Sequence, residues 1–373
     1  MQTGSLDAAG RSGAPMEETV LLTGVTGAVG GALAAHLLVE RDGIRIVAVA
    51  RPGADGRAPR ERALASIRRF LPHGTAVPED RLSVLAADLA APSSIATWPL
   101  SGVTRVAHLA VCSTGGEEAR TVNLEAPLVL ARAALSTGAL RRFLYVGSAW
   151  SCGLGARGIV SEDAPPSGEP PHAYLANKLV CEARLAATPG LPLTIARPSL
   201  AMGHTELGCE PTASLFWVLR HLQRAGDLSP EDARPLDTVP FDWLARALGA
   251  LLFARTPRHL RYHLSAGPEG AVTWGEIARQ LVAASNEGAL SNEGAFSNEG
   301  AFSNNEDGDA LSSERFEGVL RACLRFLRGE AVFDATRARQ EGIAPPPRLT
   351  SYLGCCVRRA RVRTIEAQAL DDT

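Results

Sequence analysis

Short apolar runs recur through the first 200 residues, and each is followed by a segment whose apolar positions repeat with helical spacing. The runs that predict strands are Val20–Leu22 and residues 44–50, 81–87, 103–110, 142–147 and 191–196. The segments that predict helices begin at Ala32, cover 60–71 and 118–137, and extend from Ala173 through Leu185. Strands that alternate with helices at this interval predict an α/β fold with a doubly wound parallel sheet.

The strict alternation stops near residue 200. Helical periodicity continues, with one short apolar run near 261–265, over residues 213–225, 241–254, 273–284, 313–328 and 334–341. A last helix carries several arginines after the Pro345–Pro347 break. This pattern predicts a Rossmann-type sheet domain over 18–200 and a smaller, mostly helical cap over 201–373, interleaved with the carboxyl edge of the sheet, where open α/β sheets bind ligands.

Two segments lack such a pattern. Residues 1–17 are small and polar, so either Met16 is the true start or this segment is a disordered tail. Residues 285–310 contain repeats of Ser-Asn-Glu-Gly-Ala followed by Leu or Phe. Because one apolar residue per unit cannot build a core, we expect a disordered, acidic, low-complexity loop inserted into the cap.

Composition and charge narrow the classes of function. Apolar residues make up 46% of the chain and charged residues 21%, which is typical of globular proteins. No apolar run approaches the roughly 20 residues of a membrane span. A net charge of −2 argues against nucleic-acid binding by overall charge. The seven cysteines form no Cys-x-x-Cys pair and no histidines cluster at zinc spacing, so we expect no metal site and reduced thiols in the cytoplasm.

A glycine-rich turn follows the first strand. Gly24, Gly27 and Gly30 are each separated by two residues, and helical periodicity begins directly after them. In a dinucleotide-binding turn the first glycine makes the tight turn, the second lets the backbone approach a pyrophosphate, and the third lets the helix pack close to the strand. The candidate cofactor contacts here are Thr23, Gly24, Thr26, Gly27, Ala28, Val29 and Gly30. The alternative is a glycine-rich turn without a ligand.

The ends of the next two strands bear on the choice of cofactor. Arg51 follows the second strand, where an acidic residue would accept from the 2′-hydroxyl of NAD, and Arg57 and Arg60 come soon after. An arginine there favours a 2′-phosphate, so we expect NADP (NADPH); the alternative is a solvent-exposed arginine. Asp88, after the third strand, could accept from an adenine amino group or cap the next turn.

Tyr174 and Lys178 stand four residues apart on one predicted helix, so their side chains share a face. A lysine ammonium favours the phenolate, and it should draw the tyrosine pKa from about 10 toward the working range. Ser148, after the fifth strand, could donate to the substrate oxygen that Tyr174 protonates. Together they predict carbonyl reduction by hydride from a nicotinamide, or the reverse. Taken singly, the lysine could be solvated and the serine a cap.

This ordered set resembles the short-chain dehydrogenase/reductase superfamily, in its extended and atypical branches. The resemblance covers residues 19–265 best, and its landmarks are Thr23–Gly30, Asp88-Leu89, His108-Leu-Ala110, Asn123, Ser148, Tyr174 with Lys178, and Arg197-Pro198. It implies that Ser148, Tyr174 and Lys178 are catalytic and that Asn123 supports a proton-relay water. Leu89, Ala110, Lys178 and Pro198 would join Arg51 and Asp88 around the cofactor.

Within the superfamily the chain looks like the thioester reductase and fatty acyl-CoA reductase ("male sterility") branch. The segments that carry this likeness are Val49–Pro52, Thr194–Gly203 and Leu236–Pro240. Enzymes of that branch use NADPH to reduce acyl groups held on CoA or a phosphopantetheine thiol. Two positions depart from the pattern, since Gly147 stands where a second Ser or Thr is usual and Asn177 replaces a common Ser.

Three functions are open at this point. The first is NADPH-dependent reduction of a carbonyl or acyl thioester, with an acyl carrier protein as a possible partner. The second is an NAD(P)-dependent epimerase, dehydratase or reductase of a nucleotide sugar or small alcohol, against which Arg51 counts because such enzymes often select NAD. The third is a non-catalytic NADP-binding regulator, which would not need Ser148, Tyr174 and Lys178. Trp150, Phe216 and Trp217 could shape the pocket, but core packing is the stronger expectation for each.

Overall fold

The computed structural model describes residues 18–53, 56–113, 116–212, 214–291, 321 and 324–360. The predicted tail over 1–17 lies outside these residues, and so does most of the predicted low-complexity loop. In chain order the strands are β1 (Glu18–Thr23), β2 (Ile44–Ala50), β3 (Leu82–Ala86), β4 (Arg105–His108), β5 (Arg142–Val146), β6 (Arg157–Val160), β7 (Leu193–Pro198), β8 (Leu200–Ala201), β9 (Pro235–Leu236), β10 (Thr238–Val239), β11 (Arg261–Leu264), β12 (Val272–Thr273) and β13 (Glu330–Phe333). The α-helices are α1 (Ala28–Glu40), α2 (Pro59–Arg68), α3 (Gly116–Arg120), α4 (Ala126–Ser136), α5 (Ala173–Ala186), α6 (Ser214–Ala225), α7 (Phe241–Phe253), α8 (Gly267–Gly270), α9 (Trp274–Ser291), α10 (Thr336–Gln340) and α11 (Leu349–Arg359).

Seven strands form a central parallel sheet in the order β11-β7-β5-β4-β1-β2-β3. The strands are rich in Val, Ile, Leu and Ala and are largely buried, as expected where helices cover both faces of a sheet. The direction of winding reverses between β1 and β4, and the crevice at such a point is where open sheets bind ligands. The predicted doubly wound, Rossmann-like sheet is confirmed.

Helices α1, α2 and α7 cover one face of the sheet. Leu33, Ile67 and Leu248 from these helices share one apolar cluster with Leu22 and Ile46 of the sheet. Because α1 is enclosed by the sheet on one side and by α7 and α2 on others, eight of its thirteen residues are buried. This packing holds the amino end of α1 at the end of β1.

Helices α4 and α5 cover the opposite face. Leu130 and Cys181 pack with Phe143 and Ile195 of the sheet in a second apolar cluster. Between α3 and α4, residues Thr121–Glu125 form one π-helical turn, so the predicted helix over 118–137 is widened in its first half. Such turns are frequently found at functional sites.

The cap has a core of its own. Phe216 and Trp217 of α6, Trp274 of α9 and Leu353 of α11 lie in one buried cluster. Helix α9 runs to Ser291 and so enters the range predicted as a low-complexity loop, because Ala, Glu and Leu in that range are good helix formers. No helix in the described part of the chain combines the length and apolar content needed to cross a bilayer.

Two strand pairings differ from the sequence prediction. The run near 261–265, expected in the cap, forms β11 and extends the central sheet by pairing in parallel with β7. In addition, β6 and β13 pair in parallel, with Arg157 opposite Glu330, and neither strand was predicted. Each is only four residues long, and the two are separated in sequence by α5, β7 and most of the cap. A local pattern therefore gives no indication of the pairing.

Candidate active site

The glycine turn after β1 is built by close backbone packing. Gly24 has φ of +79°, and a Cβ atom on it would lie 2.6 Å from the backbone nitrogen of Ala110 at the end of β4. A Cβ atom on Gly30 would lie 2.0 Å from the carbonyl oxygen of Gly24. Any side chain at either position would force β1, β4 and α1 apart, so packing within the protein accounts for both glycines.

Packing within the protein does not account for Gly27. Its φ is −85°, and a Cβ atom there would meet only the Gly24 carbonyl oxygen, at an ordinary 3.4 Å. Gly27 is the N-cap of α1, where no side chain caps the helix and no acidic residue lies in the first turn. The free backbone N–H groups and the positive end of the helix dipole suit an anion such as a pyrophosphate.

A cleft of about 1450 Å³ opens beside this turn. Of the predicted cofactor residues, those that line it are Gly24, Thr26, Gly27, Arg51, Asp88, Leu89 and Ala110. Those that do not line it are Thr23, Ala28, Val29, Gly30, Lys178 and Pro198. The cap also reaches the cleft, through Leu207, Glu210–Thr212 and Arg359. The volume exceeds the roughly 300–1,000 Å³ of a typical small-molecule pocket, so it leaves room for a dinucleotide.

Thr23 lies behind the cleft and fixes the end of β4. Its Oγ1 accepts from the backbone N–H groups of Leu109 and Ala110, each at 3.3 Å. The hydroxyl hydrogen is then available to Nδ1 of His108, 3.0 Å away. Burial and the nearby charge of Lys178 lower the pKa of His108 to about 3, so this imidazole is neutral. Thr23 therefore shapes the cleft without lining it.

Arginines surround the end of β2. Arg51 is 59% exposed, and its guanidinium lies 3.5 Å from a carboxylate oxygen of Glu118 and 3.9 Å from one of Asp88. Arg57 and Arg62 also line the cleft there, and Nη1 of Arg62 donates to the backbone carbonyl oxygen of Arg51 at 2.8 Å. Arg62 carries no signal in the sequence, because it becomes part of the cleft only when α2 folds back over the end of β2.

Arg60 and Asp88 are engaged in local contacts. Arg60 donates to the carboxylate of Glu79 at 2.9 Å and to the carbonyl oxygen of Leu82 at 3.0 Å, and it does not line the cleft. Oδ1 of Asp88 accepts from the backbone N–H of Ala90 at 2.9 Å. Of the two roles considered for Asp88, turn capping is therefore the one visible in the fold.

Tyr174 and Lys178 share one face of α5, but the pKa of Tyr174 is not lowered as expected. The Lys178 ammonium donates to the carbonyl oxygen of Val146 at 2.8 Å and lies 5.9 Å from the centre of the Tyr174 ring. Burial lowers the pKa of Lys178 to about 8 and raises that of Tyr174 to about 12. The expected fall in the Tyr174 pKa is therefore wrong for this structure, because burial outweighs a lysine that is bonded elsewhere.

Ser148 stands at the end of β5 and is partly exposed. It caps the short turn of residues 149–152, with Oγ accepting from the backbone N–H of Trp150 at 3.2 Å. Accepting this bond leaves the hydroxyl hydrogen free to donate. The three predicted catalytic residues thus lie near the carboxyl end of β5. Ser148 follows that strand, and Tyr174 and Lys178 lie in the amino-terminal half of α5. No described hydrogen bond joins them directly.

Asn123 lies in the π-helical turn and is 1% exposed. Its Oδ1 accepts from the backbone N–H of Cys112 at 2.9 Å, and its Nδ2 donates to the carbonyl oxygen of the same residue at 2.8 Å. The amide therefore holds the loop after β4 in place. The predicted support of a proton-relay water by Asn123 stays a prediction.

Two features near the site carry no signal in the sequence, the capping role of His172 and the pairing of Glu182 with Arg197. His172 caps α5, with Nδ1 accepting from the backbone N–H of Tyr174 at 3.4 Å and its ring 4.8 Å from the tyrosine ring. Glu182 and Arg197 form a buried ion pair beside Gly147. Lys178 itself carried a stronger signal than its spacing, because it is the only lysine in a chain whose lysine and arginine residues total 38.

The aromatic residues considered for the pocket belong to packed clusters. Trp150 is 2% exposed and meets Phe333 and Phe326 edge-on, at 5.3 and 6.0 Å between ring centres. Phe216 and Trp217 lie in the core of the cap. Core packing is therefore the role that the structure shows for all three. In the described ranges, no three metal-ligating side chains come close enough to hold a metal ion.

Comparison with known proteins identifies the family of this chain. Residues 22–248 match the family described as male sterility protein. The chain belongs to this family. Membership confirms the resemblance to the thioester reductase and fatty acyl-CoA reductase branch of the extended short-chain dehydrogenase/reductase superfamily. The chain is accordingly an NAD(P)-dependent oxidoreductase of the short-chain dehydrogenase/reductase type. No curated protein matches the sequence.

Solved structures similar to this male sterility family member share its fold. The terminal R domain from the myxalamid PKS-NRPS biosynthetic pathway has a TM-score of 0.69 at 23% identity, over 94% of this chain and 92% of that one. A thiolation-reductase di-domain from an archaeal non-ribosomal peptide synthetase has a TM-score of 0.67 at 15% identity, over 92% of this chain and 75% of that one. The Bordetella bronchiseptica enzyme WbmG, in complex with NAD, has a TM-score of 0.62 at 17% identity, over 94% and 95%.

Proposed function

We propose that the protein is an NADPH-dependent reductase of a carbonyl or acyl thioester. The observation that carries the proposal is Lys178, the only lysine of the chain, buried between Tyr174 and the end of β5. Every other basic position outside histidine uses arginine, whose pKa is too high for it to share a proton at neutral pH. A lysine retained at this one place indicates chemistry that needs an amine.

The cleft fits NADPH at its anionic parts. The N–H groups at the start of α1 and the open backbone of Gly27 would hold the pyrophosphate. Arg51, Arg57 and Arg62 would surround the 2′-phosphate, which would take the place of the Glu118 and Asp88 carboxylates that lie 3.5 and 3.9 Å from Arg51. Bound NADPH supplies a hydride to an electrophilic carbon.

The chain's own residues would handle the proton. A pKa of about 12 keeps the Tyr174 phenol protonated at neutral pH, so it can donate its proton to the substrate oxygen as the hydride arrives at carbon. Ser148 would donate a hydrogen bond to the same oxygen. Lys178 would stabilise the phenolate that remains, and Asn123 would support a water that returns the proton.

The thioester part of the proposal rests on family membership and on the reach of the cap. Two proteins with the same fold are a terminal R domain and a thiolation-reductase di-domain. In this chain residues 207 and 210–212 enter the cofactor cleft, so a substrate would lie between the sheet domain (18–200) and the cap (201–373). We propose an acyl carrier protein or CoA as the group that presents the acyl chain, and the cytoplasm as the compartment.

A substrate panel tests the reaction class. The purified protein is mixed with NADPH and, separately, an acyl-CoA, a phosphopantetheinyl carrier loaded with the same acyl chain, an aldehyde or a ketone, and loss of NADPH absorbance is followed. We expect turnover with thioester or aldehyde. Tight NADPH binding without turnover on any member would instead support the non-catalytic regulator.

The alternative of a nucleotide-sugar enzyme is supported by one observation. WbmG, solved with NAD and UDP, shares the fold over 91% of this chain at a TM-score of 0.61. An epimerase or dehydratase of this kind would convert a UDP- or dTDP-sugar without net consumption of cofactor. Incubation with such sugars and NAD, followed by chromatography of the sugar nucleotides, separates this function from a reductase.

A further inference from the structure

Glu182 lies one helical turn beyond Lys178 on α5 and is 1% exposed. Its carboxylate accepts from Nε of Arg197, at 2.9 Å to one oxygen and 3.2 Å to the other, and Nη2 of Arg197 donates to it as well. Arg197 is 9% exposed and directly precedes Pro198 at the end of β7. Its Nη1 donates to the carbonyl oxygen of Glu162 at 2.9 Å.

An ion pair is a costly way to fill a buried space. Two charges must leave water, and apolar side chains of similar volume are often at least as stabilising. The pair of Glu182 and Arg197 is therefore explained poorly by stability alone. The pair lies between α5, which carries Tyr174 and Lys178, and β7, which ends at Pro198. This position indicates a role in the proposed site.

The Glu182 carboxylate also lies against the turn that follows β5. A Cβ atom on Gly147 would lie 2.1 Å from Oε1 of Glu182, so only glycine leaves room for the carboxylate. Both neighbours of Gly147 belong to the proposed site, since the carbonyl of Val146 binds Lys178 and Ser148 carries the hydroxyl. A Ser or Thr at this position, which is usual in the family, would overlap the carboxylate in this arrangement.

Several groups around the Lys178 ammonium bear on its charge. His108 of β4 is neutral, because burial and Lys178 lower its pKa to about 3. Tyr174 and Cys181 are neutral at pH 7, since burial raises the pKa of each to about 12. Burial lowers the pKa of Lys178, whereas Glu182, and after it Cys181, raise it.

We propose that Glu182 is a positioning residue, which keeps the Lys178 ammonium charged and in place and fixes the Gly147–Ser148 turn through its pair with Arg197. The inference rests on the proposed function, in which Ser148 and Lys178 meet substrate and cofactor. Glu182 meets neither of them and acts through Lys178 and the backbone of Gly147.

The single lysine makes a direct test possible. Growth with ¹³C,¹⁵N-lysine gives the full chain one lysine side-chain signal, whose chemical shift is followed against pH. We expect Glu182→Gln to lower the pKa of Lys178 by about one unit or more, because a nearby opposite charge is lost. Glu182→Asp keeps the charge, so the pKa of Lys178 should stay close to its wild-type value. Glu162→Gln is the matched control, because it removes another buried carboxylate but keeps the backbone carbonyl on Arg197. It should leave the signal unchanged.

An unmoved Lys178 pKa in folded Glu182→Gln overturns the inference. If that variant does not fold, Arg197→Gln is titrated instead; it keeps the Glu182 carboxylate but removes its cationic partner, so the Lys178 pKa should rise, and an unmoved pKa in this variant also overturns the inference. Because the NMR signal needs no turnover, a shifted pKa in a protein inactive on every substrate would count against the proposed function alone. Turnover with an unmoved pKa would count against this inference alone.

Discussion

The ammonium of Lys178 donates to the carbonyl oxygen of Val146 at 2.8 Å while lying 5.9 Å from the centre of the Tyr174 ring. The lysine is thus hydrogen-bonded to the end of β5, and no described hydrogen bond joins it to the tyrosine. Burial keeps the Tyr174 phenol protonated at neutral pH, because it raises the pKa to about 12. In the mechanism proposed above, the lysine stabilises the phenolate after the proton has left.

Tyr174→Phe should lower kcat by about 10²- to 10⁴-fold, the usual contribution of a general acid, with little change in NADPH affinity. The reason is that the phenol donates a proton but does not line the cofactor cleft. Initial rates and calorimetric titration with NADPH measure the two quantities. Tyr352→Phe, in the core of the cap, is the control and should keep its rate. Retained turnover in Tyr174→Phe would remove the residue from the mechanism.

The pH profile of kcat/KM should fall on the alkaline side. Lys178 has a pKa of about 8, so above that pH the amine loses its proton and with it the charge that stabilises the phenolate. We expect a plateau near neutral pH and a decline of about tenfold per unit once the pH exceeds the pKa. Tyr174, with a pKa of about 12, titrates outside the accessible range. A flat profile from pH 6 to 10 would contradict the role of Lys178.

Arg51→Ala should weaken NADPH binding by roughly 10- to 100-fold, the loss expected when a hydrogen bond to a charged group is removed. NADH binding should change little, because NADH carries no 2′-phosphate. Arg60→Ala is the matched control, since Arg60 binds Glu79 away from the cleft. Calorimetry with both nucleotides measures the effect. Equal losses for NADH and NADPH would show that Arg51 does not choose between them.

Gly147→Ala should destabilise the fold by about 1–3 kcal/mol, because its Cβ would overlap the Glu182 carboxylate. In a double-mutant cycle Glu182→Ala should relieve most of this cost, and urea unfolding measures the coupling. Gly27→Ala is the contrasting variant. It has room for a methyl group and φ of −85°, so it should unfold like the wild type while binding NADPH more weakly. Additive effects of Gly147→Ala and Glu182→Ala would contradict the close contact.

Asp237 should make stability depend on pH in an unusual direction. The residue is fully buried, and burial raises its pKa from 3.8 to about 6, although its oxygens accept from the backbone N–H groups of Ala266 and Phe333. The folded state therefore binds the proton more tightly than the unfolded state. This contribution to stability is present below pH 4 and is lost as the pH rises through 6.

Urea unfolding of the wild type and of Asp237→Asn at pH 7, 6, 5 and 4 measures this effect. Relative to the variant, the wild type should gain on the order of 2–3 kcal/mol as the pH falls over that range. Subtracting the two series removes the titration of other groups. A difference that does not vary with pH would mean that Asp237 keeps its ordinary pKa.

The repeating strand and helix pattern was sufficient to predict six of the seven strands of the sheet, because most of them are buried on both faces and read as apolar runs. Strand β2 was predicted to the residue. The pairing of β6 with β13 could not be predicted, because the two strands are separated in sequence by α5, β7 and most of the cap. The same limit applies to the site. Tyr174 and Lys178 are local in sequence, whereas Arg197 comes to Glu182 only through the packing of β7 beneath α5.

The scarcity of lysine has a consequence for a surface exposed to reactive acyl groups. Thioesters acylate free amines, and aldehydes condense with them, whereas a protonated guanidinium does neither at neutral pH. Because Lys178 is the only lysine and is 6% exposed, the cations on the surface of the folded chain are guanidinium groups, and its side chains offer no open amine. A protein that handles either compound would thereby be protected from covalent damage by its own substrate or product.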